Sequence, residues 1–124
     1  MGLLDGKVCL VSGAGQGLGR AISREMAAEG AAVVLIERNG ETVAAVAQEI
    51  ARAGGTAHPY QLDVTDYDGY GKVVADVAMK LGRIDVLVNN AAINPPTRTI
   101  LNDTLEDWRR TIAINLEAVY MRSK

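Results

Sequence analysis

Ser12-Gly13-Ala14-Gly15-Gln16-Gly17-Leu18-Gly19 is the stretch on which the reading of this chain turns. It follows a short apolar run, Val8 to Val11, and opens a segment in which Leu18, Ile22 and Met26 stand four apart. A short β-branched run bounded by Gly or polar residues reads as a buried parallel strand. A fourfold apolar repeat ending before Gly30 reads as an amphipathic helix with a glycine stop. Glycines between such a strand and helix have mechanical tasks. One makes the sharp turn, one lets backbone N–H groups approach a pyrophosphate, and one lets the helix pack on the sheet. The helix N-terminus adds its dipole and its free donors. A strict G-x-G-x-x-G is not present; the pattern is G-x-x-x-G-x-G at Gly13, Gly17 and Gly19. A P-loop is excluded, because Arg20 and Ala21 follow Gly19 where Lys and Ser or Thr are needed.

Outward from this loop the two periodicities alternate. Ala32 to Ile36 reads as a second strand, Thr56 to Leu62 as a third, and Ile84 to Val88, interrupted by Asp85, as a fourth. Val43, Val46, Ala47 and Ile50 form one helical stripe, closed by Gly54 and Gly55. Tyr70, Val74, Val77 and Leu81 form another, with Thr65 as the expected N-cap and Gly82 as the stop. A loop from Asn89 to about Asp103 holds Asn94, Pro95 and Pro96, and a last helix is expected from about Thr104. The alternation predicts an α/β fold, a doubly wound parallel sheet of the Rossmann type with strand order 3-2-1-4. Pro59 agrees with it, since that order puts the third strand at an edge, where a missing N–H is tolerated.

The 124 residues fit one domain spanning 1–124. Hydrophobic residues make up 48%, which excludes a disordered chain, and 13 Lys+Arg against 15 Asp+Glu excludes nucleic-acid binding by charge alone. No apolar run approaches the ~20 residues of a membrane span. Met1 to Gly6 shows no signal peptide, and Gly6 breaks the myristoylation pattern. The single cysteine, Cys9, fits a reducing, cytoplasmic setting and reads as a small core residue. His58 reads as a surface or packing residue on an edge strand and Trp108 as an anchor of helix packing, and no metal-ligand set is expected. Glu37 ends the second strand 18 residues after Gly19. An acid near that position hydrogen-bonds the adenosine ribose in dinucleotide folds. A carboxylate repels a 2′-phosphate, so NAD is expected ahead of NADP. Arg38, next along, is the group that would suit the phosphate.

Gly13-x-x-x-Gly17-x-Gly19, Glu37, Asp63-Val64, Asn89-Asn90-Ala91-Ala92 and Asn115 together resemble the short-chain dehydrogenase/reductase family over essentially the whole chain. Ser12 stands where Thr is usual, and Ala92 where Gly is. The resemblance implies that Gly13, Gly15, Gln16, Gly17, Leu18 and Gly19 cradle the pyrophosphate and that Glu37 holds the ribose. It implies that Asp63 accepts from the adenine amino group with the Val64 backbone beside it. Asn90 and Ala91 would line the cofactor ribose and Asn89 would brace the sheet. Asn115 would be the catalytic member present, supporting a water in the proton relay.

The family's Ser, Tyr and Lys are expected on a later strand and helix, so the chain reads as the cofactor-binding half of an oxidoreductase acting on a small alcohol or carbonyl substrate. Tyr120 and Lys124 fit Tyr-x-x-x-Lys, but on a continuous helix they face away from Asn115. Residues 1–124 alone are therefore expected to be inactive and marginally stable, with the fourth strand as an open edge. A homo-oligomer is implied by the resemblance. A non-catalytic nucleotide-binding module is the alternative. An S-adenosylmethionine-dependent methyltransferase is a further one, against which Asn89, Asn90 and Asn115 argue.

Overall fold

A strand buried on both faces reads as a continuous apolar run, and β1 (Val8–Ser12) and β2 (Ala32–Glu37) are built this way up to their last residues, Ser12 and Glu37. In the computed structural model, which describes residues 2–93 and 99–124, Val8 and Leu10 of β1 point to one core with Val34 and Ile36 of β2. Cys9 and Val11 point to the opposite core with Val33 and Leu35. Helices α1 (Gly17–Ala28) and α2 (Gly40–Arg52) cover the second face through Ala27, Val43, Val46 and Ile50. Helix α3 (Tyr67–Leu81) covers the first through Val73 and Val77, together with Ile114 and Ala118. β3 (Thr56–Gln61) and β4 (Val86–Val88) complete a wholly parallel sheet in the order β3-β2-β1-β4. This is the doubly wound, Rossmann-type arrangement that the sequence predicts. Pro59 lies on the edge strand, opposite Leu35.

Several local expectations need correction. The fully buried positions of α1 are Gly19, Ser23 and Ala27; Ile22 and Met26 are half-buried and pack against the same core, while Leu18 is 68% exposed. Small residues face the sheet because the helix approaches it closely, and Leu18 is left over the cleft. α3 is capped by Asp66, which accepts from the Gly69 N–H, and not by Thr65, whose hydroxyl donates to Asp63. The buried positions of α3 are Val73 and Val77; Val74 is half-buried. β3 stops at Gln61, one residue short of Leu62.

β4 begins at Val86, not Ile84. Asp85 turns its carboxylate to the Val8 N–H (2.8 Å) and its own N–H to the Val8 carbonyl (2.8 Å), fastening the strand start to β1. The last helix is not uniform. α4 (Leu105–Ile112), capped by Thr104, widens into a π-helical turn at Ala113–Glu117 and resumes as α5 (Ala118–Ser123). Trp108 does not anchor packing; it is 56% exposed. Cys9 is fully buried as expected, and His58 is half-buried on β3. Asn94, Pro95, Pro96 and Thr97 of the expected loop lie outside the described residues.

Candidate dinucleotide cleft

The sheet order reverses between β1 and β4, and at their carboxyl ends the flanking loops part. A cleft of about 530 Å³ opens there. One hydroxyl organises its floor. Ser12 is fully buried, and its Oγ accepts from the N–H groups of Asn90 and Ala91 (both 3.1 Å) while donating to the Val88 carbonyl (3.3 Å). Ser12 thereby fixes the glycine loop against the segment leaving β4. Asn90 adds a second tie, donating from Nδ2 to the Gly13 carbonyl at 3.2 Å.

Two glycines are required by this closeness. Gly13 has φ +67°, and a Cβ there would stand 2.9 Å from Ala91 Cα. A Cβ on Gly19 would run into the Gly13 carbonyl oxygen and Asn90. Gly19 and Gly15 are buried beneath the loop, whereas Gly13, Gln16, Gly17 and Leu18 line the cleft. The start of α1 is distinctive. α2, α3 and α4 have side-chain caps from Asn39, Asp66 and Thr104, but no side chain caps α1 at Gln16. Its first-turn N–H groups have no intrahelical partners.

Glu37 stands across the loop. Its Oε2 accepts from the Gly15 N–H at 3.1 Å, and its Oε1 from the Asn39 N–H at 3.3 Å. Arg38 forms the neighbouring wall. Asp63, beyond β3, accepts at Oδ1 from the Thr65 hydroxyl (2.7 Å) and N–H (2.9 Å). Those bonds, the hydroxyl first, hold its carboxyl below the ordinary value, with smaller help from Arg38 and Arg110. Asp63 is therefore an ionised acceptor at neutral pH. Val64, Asn90, Ala91, Ala92 and Ile93 also line the cleft, with Ile36, Leu62 and Ile114 as apolar walls.

The structure thus brings together Gly13, Gln16, Gly17, Leu18, Glu37, Asp63, Val64, Asn90 and Ala91. Gly15 and Gly19 support the loop from below. Asn115 is beside the cleft wall, next to Ile114, and its side chain clasps the Ile93 backbone. Asn89 points away from the cleft and joins the last helix through Arg122 and Ser123. The central position of Ser12 is absent from the sequence reading; its signal was a hydroxyl at the end of an otherwise apolar strand.

A family profile described as short chain dehydrogenase matches residues 7–124. The chain belongs to the short-chain dehydrogenase family. A meso-2,3-butanediol dehydrogenase of Serratia marcescens is 40% identical over 97% of this chain and 47% of its own length. A metagenomic short-chain oxidoreductase, solved in complex with NADP, is 38% identical with a TM-score of 0.90 and is covered over 54% of its chain. Carveol dehydrogenase from Mycobacterium avium, solved in complex with NAD, superposes with a TM-score of 0.93 at 28% identity, over 98% of this chain and 48% of that one. This short-chain dehydrogenase sequence spans about half the length of the curated relatives it matches.

Proposed function

We propose that residues 1–124 form the cofactor-binding half of an oxidoreductase that transfers hydride between NAD and an alcohol or carbonyl substrate. The observation that carries this is the uncapped start of α1, opening on a cleft with the Glu37 carboxylate across the loop. Unpartnered N–H groups and the helix dipole suit a pyrophosphate. Glu37, already aligned by the Gly15 and Asn39 amides, offers acceptors to ribose hydroxyls and repels a 2′-phosphate, which favours NAD over NADP. Asp63 offers an acceptor to an exocyclic amine, and Ile36, Leu62 and Ile114 suit the flat faces of an adenine ring. Asn90 and Ala91, which line the cleft, would hold the ribose nearer the reacting end. When bound, NAD supplies the hydride acceptor, or NADH the donor.

Asn115 commits both ends of its amide to Ile93, so what it offers a proton relay is the main chain of the widened turn. The Ser and Tyr-x-x-x-Lys of the family belong to sequence beyond Lys124. The 64% exposure of Tyr120 supports reading it as outside that pair. Exposed Leu105, Trp108, Leu116 and Tyr120 on the last helix support assembly into a homo-oligomer. Among the described residues no helix is long and apolar enough to cross a membrane. The free thiol of Cys9 is consistent with a cytoplasmic setting.

Fluorescence titration with NADH, NADPH and S-adenosylmethionine tests the reading. Saturable NADH binding, tighter than NADPH, is expected. Preference for NADPH would overturn the assignment of NAD, and binding of S-adenosylmethionine alone would overturn the oxidoreductase reading itself.

A further inference from the structure

Arg122, on α5, is 4% exposed, the most deeply buried charged side chain among the described residues. Its Nε donates to Asn89 Oδ1 at 2.8 Å. Both terminal nitrogens, Nη1 and Nη2, are buried with no acceptor among the described residues. Glu117, five residues earlier on the same helix, accepts from the Tyr67 hydroxyl at 2.7 Å and forms no ion pair with Arg122. The Tyr70 hydroxyl donates to the Arg122 carbonyl and makes no hydrogen bond with the guanidinium. Burying an arginine with four of its five donors idle is strongly unfavourable unless oxygens complete the fork.

The position of Arg122 indicates where those oxygens come from. Asn89 is the residue directly after β4, and its other amide end donates to Ser123 Oγ at 3.1 Å. Two successive residues of α5 therefore grip the end of β4. β4 pairs with β1 on one side, and no described strand pairs with its other side. The curated relatives are about twice as long as this chain. An extended segment placed along the open edge of β4 would bring main-chain carbonyl oxygens to the Arg122 fork, because a strand presents a row of them.

We infer that Arg122 is a docking anchor: its Nη1 and Nη2 groups take carbonyl oxygens of the polypeptide beyond Lys124, fixing that segment against β4 and α5. Arginine suits this task better than lysine, since its planar fork donates two parallel hydrogen bonds from a fixed position. The inference rests on the protein continuing past Lys124, as its relatives do, and it needs no bound cofactor.

The test uses the full-length protein. Its crystal structure is expected to show an oxygen of a residue beyond 124 within about 3.2 Å of Nη1 or Nη2. Arg122→Met, which keeps the apolar stem, should lower Tm by roughly 5 °C or more. Arg122→Lys should lie between the two. Hydrogen exchange in the methionine variant should rise chiefly in the segment beyond 124. Water alone on the guanidinium, an acceptor from a second copy, or a wild-type Tm in Arg122→Met would overturn the inference. If the variant fails to fold, the wild-type crystal structure decides. NADH titration of the same samples keeps this outcome separate from that of the cofactor reading.

Discussion

The side-chain amide of Asn115 is held at both ends by the main chain of Ile93, Oδ1 accepting from the N–H and Nδ2 donating to the carbonyl, each at 2.9 Å. Asn115 sits in the middle of the π-helical turn, where the helix departs from its α geometry. Single π-helical turns inside α-helices are frequent at functional sites. The clasp joins the segment after β4 to the last helix at one point. Asn115→Ala removes both bonds and should cost about 1–2 kcal/mol, the lower part of the net range for two hydrogen bonds, since both are exposed. Thermal unfolding checks this. An unchanged Tm would show that the clasp contributes nothing to the junction.

Ser12 serves three backbone groups with one hydroxyl. Ser12→Ala would leave the Asn90 and Ala91 N–H groups without it, in a fully buried position. The expected loss is about 2–3 kcal/mol of stability, together with weaker NADH binding, because the loop and the Asn90 segment would separate. Ser12→Thr should retain both properties. Denaturant unfolding and NADH titration of the two variants, compared with wild type, provide the check.

Glu37 faces the loop with both oxygens hydrogen-bonded to amides. Removing the charge should lower NADH affinity by about tenfold, equivalent to one charge-assisted hydrogen bond. NADPH should lose less, or gain, because a repulsive charge is gone and Arg38 remains in the wall. The NADH-to-NADPH affinity ratio of Glu37→Gln is the measurement. A ratio equal to wild type would remove Glu37 from cofactor choice.

Alkaline pH reports on the edge strand. The Tyr60 hydroxyl donates to Asp76 Oδ2 at 2.6 Å, and Lys80 pairs with the same oxygen at 3.0 Å. Desolvation, with the Asp76 contact next, pushes the Tyr60 hydroxyl up to about 12. Its folded pKa lies above the unfolded value of about 10, so the contact stabilises fully below pH ~10 and is lost as pH rises through ~12. Ultraviolet titration should show one of the 4 tyrosines ionising last, and Tyr60→Phe should abolish that step.

Tyr120 and Lys124 reproduce the spacing of the family's acid/base pair, yet Tyr120 projects into solvent. Tyr120→Phe in the full-length enzyme should leave turnover unchanged, and residues 1–124 alone should show none. Turnover by the isolated 124-residue chain, free of longer protein, would assign the chemistry to this half.

Sequence periodicity was sufficient for the element order, and the doubly wound topology that this alternation implies supplied the strand order; the two central strands stood out because a sheet buried on both faces leaves its apolar runs uninterrupted. β1 and β2 illustrate this. Pro59 independently indicated the edge. The loop glycines and Glu37 were also legible, since a glycine at a close approach and an acid at a strand end are local requirements. Expectations failed where competition between neighbours decides the outcome. Thr65 and Asp66 are both able caps, and the choice went to Asp66 because Asp63 engages the Thr65 hydroxyl. On α1 only Leu18 departs from the expected stripe, Ile22 and Met26 packing at the core's margin, because helix–sheet distance, not hydrophobicity alone, selects the small residues that turn fully inward.

The sequence by itself determined the order of strands and helices, the glycine turn and most of the residues that line the cleft, because these follow from backbone sterics and the solvent preference of each segment. Only the tertiary structure decided that Ser12 ties β1 to Asn90 and Ala91, that Asn115 clasps Ile93 in a widened turn, and that Arg122 is buried with an open fork. Each of these joins residues at least 22 positions apart in sequence or depends on what fills the space around a side chain. Such partners are fixed when the layers pack, and no local pattern encodes them.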